Sequence, residues 1–185
     1  MTDDQTPRAP RVLGDETPRA PRVLGDIDSR TSDAASRSWW DSEADEYHRE
    51  HGGFLGSDSP GGEFVWGPER LREADVHLLG DIVDRDILEI GCGSAPCSRW
   101  LATHGARPVG LDLSHRMLAH GLVTMARFDE PRVPLIQATA ESLPFADESF
   151  DIAFSSFGAV PFVADPAGVM AEAARVIKPG GRWVF

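Results

Sequence analysis

The chain has 185 residues, 41% of them hydrophobic, and 30 acidic against 18 basic side chains give a net charge of −12. That length carries one ordinary domain with extensions, and no apolar run approaches the ~20 residues of a membrane span. The acidic balance excludes nucleic acid as the default partner, because neutralising phosphates needs a basic face.

No charged-then-apolar leader is evident, so a cytoplasmic location is expected. Arginine far outnumbers the single lysine, Lys178, which fits a GC-rich bacterial genome. Cys92 and Cys97 are the only cysteines. Their spacing matches neither a CxxC pair nor a zinc pattern, so both read as structural thiols and no metal site is expected.

In chain order, TPRAPRVLGD at 6–15 recurs unchanged at 17–26. The stretch is rich in Pro, Arg and Asp with little to bury, so residues 1–36 read as a disordered tail. Residues 37–84 read as an N-terminal helical cap. Trp39, Trp40, Ala44, Tyr47 and His48 recur at helical spacing over Ser38–His51, with Tyr47 or a Trp as a candidate wall of a ligand site. A glycine-rich loop follows from Gly52 to Gly62, and Pro68 opens a helix running toward Ile82.

From residue 85 to 185 strands and helices alternate. Strands are expected at 87–90, 108–111, 133–138, 150–156 and 182–185, and helices at 96–104, 114–127 and 165–177. This alternation predicts an α/β fold, a Rossmann-like doubly wound and mostly parallel sheet whose ligands bind beyond the carboxyl ends of the strands.

The run DILEIGCGSAP, 86–96, is the most informative segment. A strand stops at Gly91 and Gly93 before a helix opened by Pro96, an arrangement that brings backbone N–H groups close to a ligand. A dinucleotide fingerprint would have glycine where Pro96 stands, and Glu89 so near the turn repels an anion. A cationic, nucleoside-containing ligand fits better. Asp112 ends the second strand about twenty residues beyond the turn, where such folds place an acid on ribose hydroxyls. Ser114 is a candidate cap for the next helix.

Residues 87–185 resemble the class I S-adenosylmethionine-dependent methyltransferases, in particular the broad type-11 domain. The words that carry the likeness are LEIGCGSA, VGLDLSHRML, AESLPFADESFDIAFSSF and EAARVIKPGGRWVF, in the family's order and roughly its spacing. The resemblance implies S-adenosylmethionine as cofactor and in-line methyl transfer to a small-molecule acceptor. It implies that Glu89 and the backbone of Gly91 hold the methionine end, with Cys92 and Gly93 close by. Asp112 would accept the ribose hydroxyls, Leu113 would flank the adenine, and Ala140 would offer its backbone N–H to that ring beside Thr139 and Glu141. Ser155 and Phe157 would face the transferring methyl, and Lys178–Gly181 is the family's turn before the fifth strand. The catalytic base is not legible; His48 and His51 are the candidates, while His115 and His120 read as structural.

Three departures stand out. Ala95 occupies the third glycine position, which a slightly wider turn would absorb. Thr139 stands where many relatives carry an aspartate toward the adenine amino group. The family continues beyond Phe185 with a helix and further strands, so the sequence reads as a C-terminally shortened chain with impaired turnover. Its exposed strand near Phe185 is a route to self-association. The alternative functions are a cofactor-binding remnant without catalysis and, third, an NAD-dependent oxidoreductase. No NPPY-like motif follows the fourth strand, which disfavours methylation of a nucleic-acid base.

Overall fold

A computed structural model of the chain describes residues 27–53, 56 and 59–185. The tandem repeat and most of the expected tail lie outside the described residues.

The first element departs from expectation. Helix α1 spans Ser29–His51, nine residues longer at its start than the amphipathic pattern suggested. Asp28 caps it, accepting from the Thr31 backbone N–H at 3.0 Å and the Thr31 hydroxyl at 2.8 Å, a cap of the kind worth ~1 kcal/mol. Residues 29–36, expected in the tail, are therefore helical.

The helix expected from Pro68 toward Ile82 is also absent. A hairpin of β1 (Val65–Trp66) and β2 (Leu71–Arg72) stands there, followed by a single turn, α2 (Glu73–Val76). Glu73 explains the change. Its side chain is buried and accepts from the Trp66 indole N–H at 2.9 Å and the Leu78 and Leu79 N–H groups at 3.0 and 2.8 Å. Those bonds fold the segment back on itself, and no periodicity of apolar residues reveals them.

The rest alternates as expected: β3 (Asp86–Ile90), α3 (Pro96–Thr103), β4 (Arg107–Asp112), α4 (His115–Arg127), β5 (Leu135–Gln137), β6 (Phe150–Phe154), α5 (Pro166–Val176) and β7 (Ile177–Val184). A short 3-10 turn at Val160–Phe162 precedes α5. The five strands form a parallel sheet in the order β5-β4-β3-β6-β7. The chain fills one side from β3 outward, crosses, and fills the other, so the order reverses at β3 and β6. Lys178–Gly181 is not a turn before the last strand but a bulge within β7, where pairing jumps from Phe150↔Ile177 to Ile152↔Arg182. Lys178 closes the base of the sheet with ion pairs to Asp86 at 3.2 Å and Asp151 at 3.0 Å.

Side-chain alternation along β3 splits the core. Leu88 and Ile90 join Leu111, Ala153 and the α5 residues Val169 and Ala173 on one face. Ile87 packs with Phe64, Leu101, Ile152 and Phe154 on the other. Glu89 shares the face of Ile87 and so points toward α3. A carboxylate in the middle of a strand buried on both sides has no packing rationale.

The glycine-rich segment is pinned by an ion pair. Arg99 of α3 and Glu130 are both buried, with Nε–O and Nη2–O distances of 2.6 and 2.7 Å. Arg99 also donates to the carbonyls of Gly56 and Ser59, and Glu130 accepts from the Gly61 N–H. Gly62 lies so close to α3 that a Cβ there would meet the Pro96 carbonyl at 2.4 Å. Arg99→Met should cost about 3–5 kcal/mol by leaving Glu130 buried without its counter-ion, and Arg99→Met/Glu130→Met should recover most of that loss. Thermal or urea unfolding reads both; equal stability of the single variant and the parent would contradict this account.

Candidate functional site

The carboxyl ends of β3, β4, β5 and β6 open into one cavity of about 690 Å³, in the upper half of the ~300–1,000 Å³ usual for small-molecule sites. Its floor is the glycine turn. Gly91, at φ 76°, turns the chain sharply out of β3, and the N–H groups of Gly91 and Cys92 both donate to the Leu111 carbonyl, at 2.8 and 2.9 Å. The Gly91 N–H is thus engaged within the fold, which leaves its carbonyl as the polar group for a ligand.

The missing side chain of Gly91 also has a reason the sequence did not suggest. A Cβ there would meet the backbone of Gly158 at 2.5 Å, and one on Gly158 would meet the Gly91 carbonyl at 1.9 Å. The two glycines pack backbone to backbone, so a side chain at Gly91 would collide with the protein before it reached the cavity. Ala95, expected to widen the turn, does not. It keeps the left-handed conformation of the glycine it replaces, at φ 58° and fully buried, a strain of ~1–2 kcal/mol for an L-residue.

Two carboxylates flank this turn. Glu89 accepts from the Ser98 N–H at 2.9 Å and the Ser98 hydroxyl at 2.5 Å, both in the first turn of α3. Burial, only partly offset by those two bonds, pushes its carboxyl up to about 7. Asp112 at the end of β4 accepts from the Gly93 N–H at 2.7 Å and the Ser114 N–H at 2.8 Å. Burial raises its carboxyl as well, against the pull of those two donors. Ser114 caps α4 as expected, accepting from the Met117 N–H at 3.2 Å.

The remaining expected site residues divide. Cys92, Gly93, Leu113, Thr139 and Ala140 line the cavity with Glu89, Gly91 and Asp112. Ser155 and Glu141 do not. The Ser155 hydroxyl accepts from the Ala159 N–H at 3.2 Å and lies buried behind the wall, which Ser156 and Phe157 form instead. Glu141 turns away to accept from the Asp165 N–H at 3.0 Å. Cys92 and Cys97 are free buried thiols, and burial raises both well above the ordinary thiol value. Among the described residues no cluster of His, Cys, Asp and Glu could hold a metal ion.

Helix α1 forms the opposite wall. It docks on the start of α4, where Asp41 accepts from the Ser114 hydroxyl at 2.6 Å and the Arg116 N–H at 3.2 Å, while Asp45 pairs with Arg116 and His120. This turns Trp39, Trp40, Tyr47 and His51 to the cavity. Of the two candidate bases only His51 is there; His48 lies on the neighbouring face, stacked on His120 at 4.2 Å. Sequence reasoning missed Asp33 and Ser36 on α1, Glu63 and Val65 at the hairpin, and Phe162, all of which line the cavity. The helical spacing of Asp33, Ser36 and Trp40 was a usable signal, obscured by assigning residues up to 36 to a tail.

The fold has counterparts. A protein-family model described as "Methyltransferase domain" matches residues 88–185. The demethylmenaquinone methyltransferase of Clavibacter sepedonicus is 36% identical over 127 residues, which are 69% of this chain and 49% of that protein. The YcgJ protein of Bacillus subtilis superposes with a TM-score of 0.55 at 28% identity, covering 59% of this chain and 47% of that one. A putative methyltransferase of Haloferax volcanii, solved with the Trm112 methyltransferase activator, superposes with a TM-score of 0.60 at 25% identity, covering 80% of this chain and 57% of the other. That likeness extends beyond the residues the family model matches. The chain spans about half the length of the curated relatives it matches. With its glycine turn, its parallel sheet and the match over 88–185, the chain belongs to the methyltransferase-domain family.

Proposed function

We propose that this chain binds S-adenosylmethionine and transfers its methyl group to a small-molecule acceptor. The observation that carries the reading is the placement of two carboxylates, the buried Glu89 and the partly buried Asp112, on either side of the glycine turn in one cavity. The donor set fits that cofactor. Glu89 and the Gly91 carbonyl suit the methionine ammonium, and Asp112 keeps accepting capacity for ribose hydroxyls because each of its oxygens receives one backbone bond. Leu113 and Ala138 offer apolar contact to a base, and Thr139 a neutral hydroxyl where an acid would bind its amino group more strongly. When bound, the cofactor supplies a methyl group already activated on a sulfonium.

What the protein adds is orientation and exclusion of water. The sheet side fixes the cofactor, and α1 with the Ser156–Phe162 segment covers the acceptor side. His51 is the candidate proton acceptor because it lines this wall and remains open to solvent. A small-molecule acceptor also fits the relatives named as demethylmenaquinone methyltransferases. The outer edge of β7, where Trp183 and Phe185 stack at 5.4 Å, is our candidate surface for self-association, which sedimentation over a concentration series would reveal.

Two measurements test the cofactor reading. Asp112→Ala should weaken binding of S-adenosylhomocysteine by about 1.5–3 kcal/mol in calorimetry, the range for hydrogen bonds to a charged group. Asp112→Asn should lose less, because one oxygen remains. Unchanged affinity in the alanine variant, or saturable NADH binding by a parent that ignores S-adenosylhomocysteine, would sink the proposal.

The second measurement is pH dependence. Glu89 sits at about 7 in the folded chain, above its ordinary 4.5, so below neutrality it is protonated and attracts the ammonium less. Affinity should fall as the pH drops below 7, by up to about tenfold per unit, and Glu89→Gln should bind weakly with a flat profile. The same shift acts oppositely on folding. Between about 4.5 and 7 the folded state holds the extra proton, so this group's contribution to stability declines as the pH rises through that window.

A further inference from the structure

Beyond the cofactor's place, the cavity has an acceptor side whose chemistry is one-sided. Trp40 meets Tyr47 edge-on at 5.4 Å and Phe162 at 5.8 Å, and Phe162 meets Phe157 at 6.3 Å, so α1 and the segment after β6 close into one aromatic wall. Three of its rings stay exposed, Trp39 at 54%, Phe157 at 57% and Phe162 at 42%. Large rings left wet around a cavity mark a surface that a ligand covers.

The permanently charged side chains around those rings have one sign. Among the described residues the cavity is lined by the carboxylates of Asp33, Glu63, Glu89 and Asp112 and by no Lys or Arg. Glu89 and Asp112 serve the cofactor on the reading above, and Glu63 is paired with Arg72 at 3.0 Å. Asp33 has no such partner: it makes no ion pair with a described residue, and it shares its helix face with Ser36, Trp40 and Tyr47. An anionic acceptor would have to desolvate against carboxylates with no Lys or Arg to receive it. A cation gains from both the acid and the faces of electron-rich rings.

We infer that the acceptor is an arylalkylamine, admitted as its ammonium form by the α1 rings and Asp33, and that carboxylated or phosphorylated acceptors are rejected. The inference rests on the cofactor reading for the position of the transferred methyl. For transfer, the ammonium first gives a proton to His51 or to water at the open mouth. The freed nitrogen pair then forms the N–C bond while the C–S bond breaks with its electron pair left on sulfur.

The test uses three probes of one shape: 2-phenylethylamine, 2-phenylethanol and phenylacetate, titrated calorimetrically into the 185-residue chain with and without S-adenosylhomocysteine. The amine should bind about tenfold tighter than the alcohol, and phenylacetate should not register. Asp33→Asn, with its helix content checked by circular dichroism, should bring the amine to the level of the alcohol and leave the alcohol unchanged. Trp40→Leu should weaken both. Equal binding of amine and alcohol, binding of phenylacetate, no binding of any probe, or an Asp33→Asn variant that keeps the amine's advantage would each overturn the inference. Failure of S-adenosylhomocysteine to bind counts against the cofactor reading instead, and the probe series on the chain alone still decides the amine question.

Discussion

Asp112 commits both carboxylate oxygens to the backbone, one to the glycine turn through Gly93 and one to the start of α4 through Ser114. Charge-assisted bonds of this kind are about twice as strong as neutral ones, and here they tie the ends of two adjacent strands. The tie continues outward, because the Ser114 hydroxyl that caps α4 donates to Asp41 of α1. A single hydrogen-bonded series therefore runs from the cavity floor to the helix that walls it, and the placement of Trp40, Tyr47 and His51 follows from it.

The buried Glu89 carries a cost that the fold does not recover through packing. Removing a carboxylate from water costs several kcal/mol unless its partners are good, and Glu89 has a serine rather than a cation for its partner. Its carboxyl accordingly sits near neutrality. Strong perturbation by burial inside a cavity is characteristic of groups kept for a ligand. Arg99 and Glu130 show the contrasting case. Their charges are equally buried but mutually satisfied, and they hold a loop in place without facing the cavity.

The strand-helix alternation after residue 85 was legible because each element carries its own period and its own stop: Gly91 ends β3, Pro96 opens α3, Ser114 caps α4. The segment before it was less so, since its structure depends on bonds between residues far apart or on polar caps. The polar start of α1 is held by Asp28 and Thr31, and the hairpin by the inward turn of Glu73. Site residues on regular elements, Glu89 and Asp112, could be placed from sequence. Of those on loops, Gly93, Leu113, Thr139 and Ala140 also reach the cavity, but Ser155 slipped by a position and Ser156 stands there instead, since the path of a loop follows contacts that spacing does not encode. On α1 a rotation of one residue separates His48, which faces α4, from Tyr47 and His51, which face the cavity.

Gly158 carries this reasoning furthest. Nothing in SSFGAV marks its glycine as special, yet its lack of a side chain is what lets the loop after β6 lie against the Gly91 carbonyl. The glycine turn is therefore held from two sides, by its bonds to the Leu111 carbonyl and by a loop from the other half of the sheet. That double constraint fixes the path of the floor. The aromatic wall opposite rests on α1 and the segment after β6, joined across the cavity by ring contacts such as Trp40 with Phe162. Substitutions there can change volume and charge without disturbing the strands. Sites grafted on a common fold diverge in this way: on the function proposed above, the floor holds the cofactor and the wall selects the acceptor.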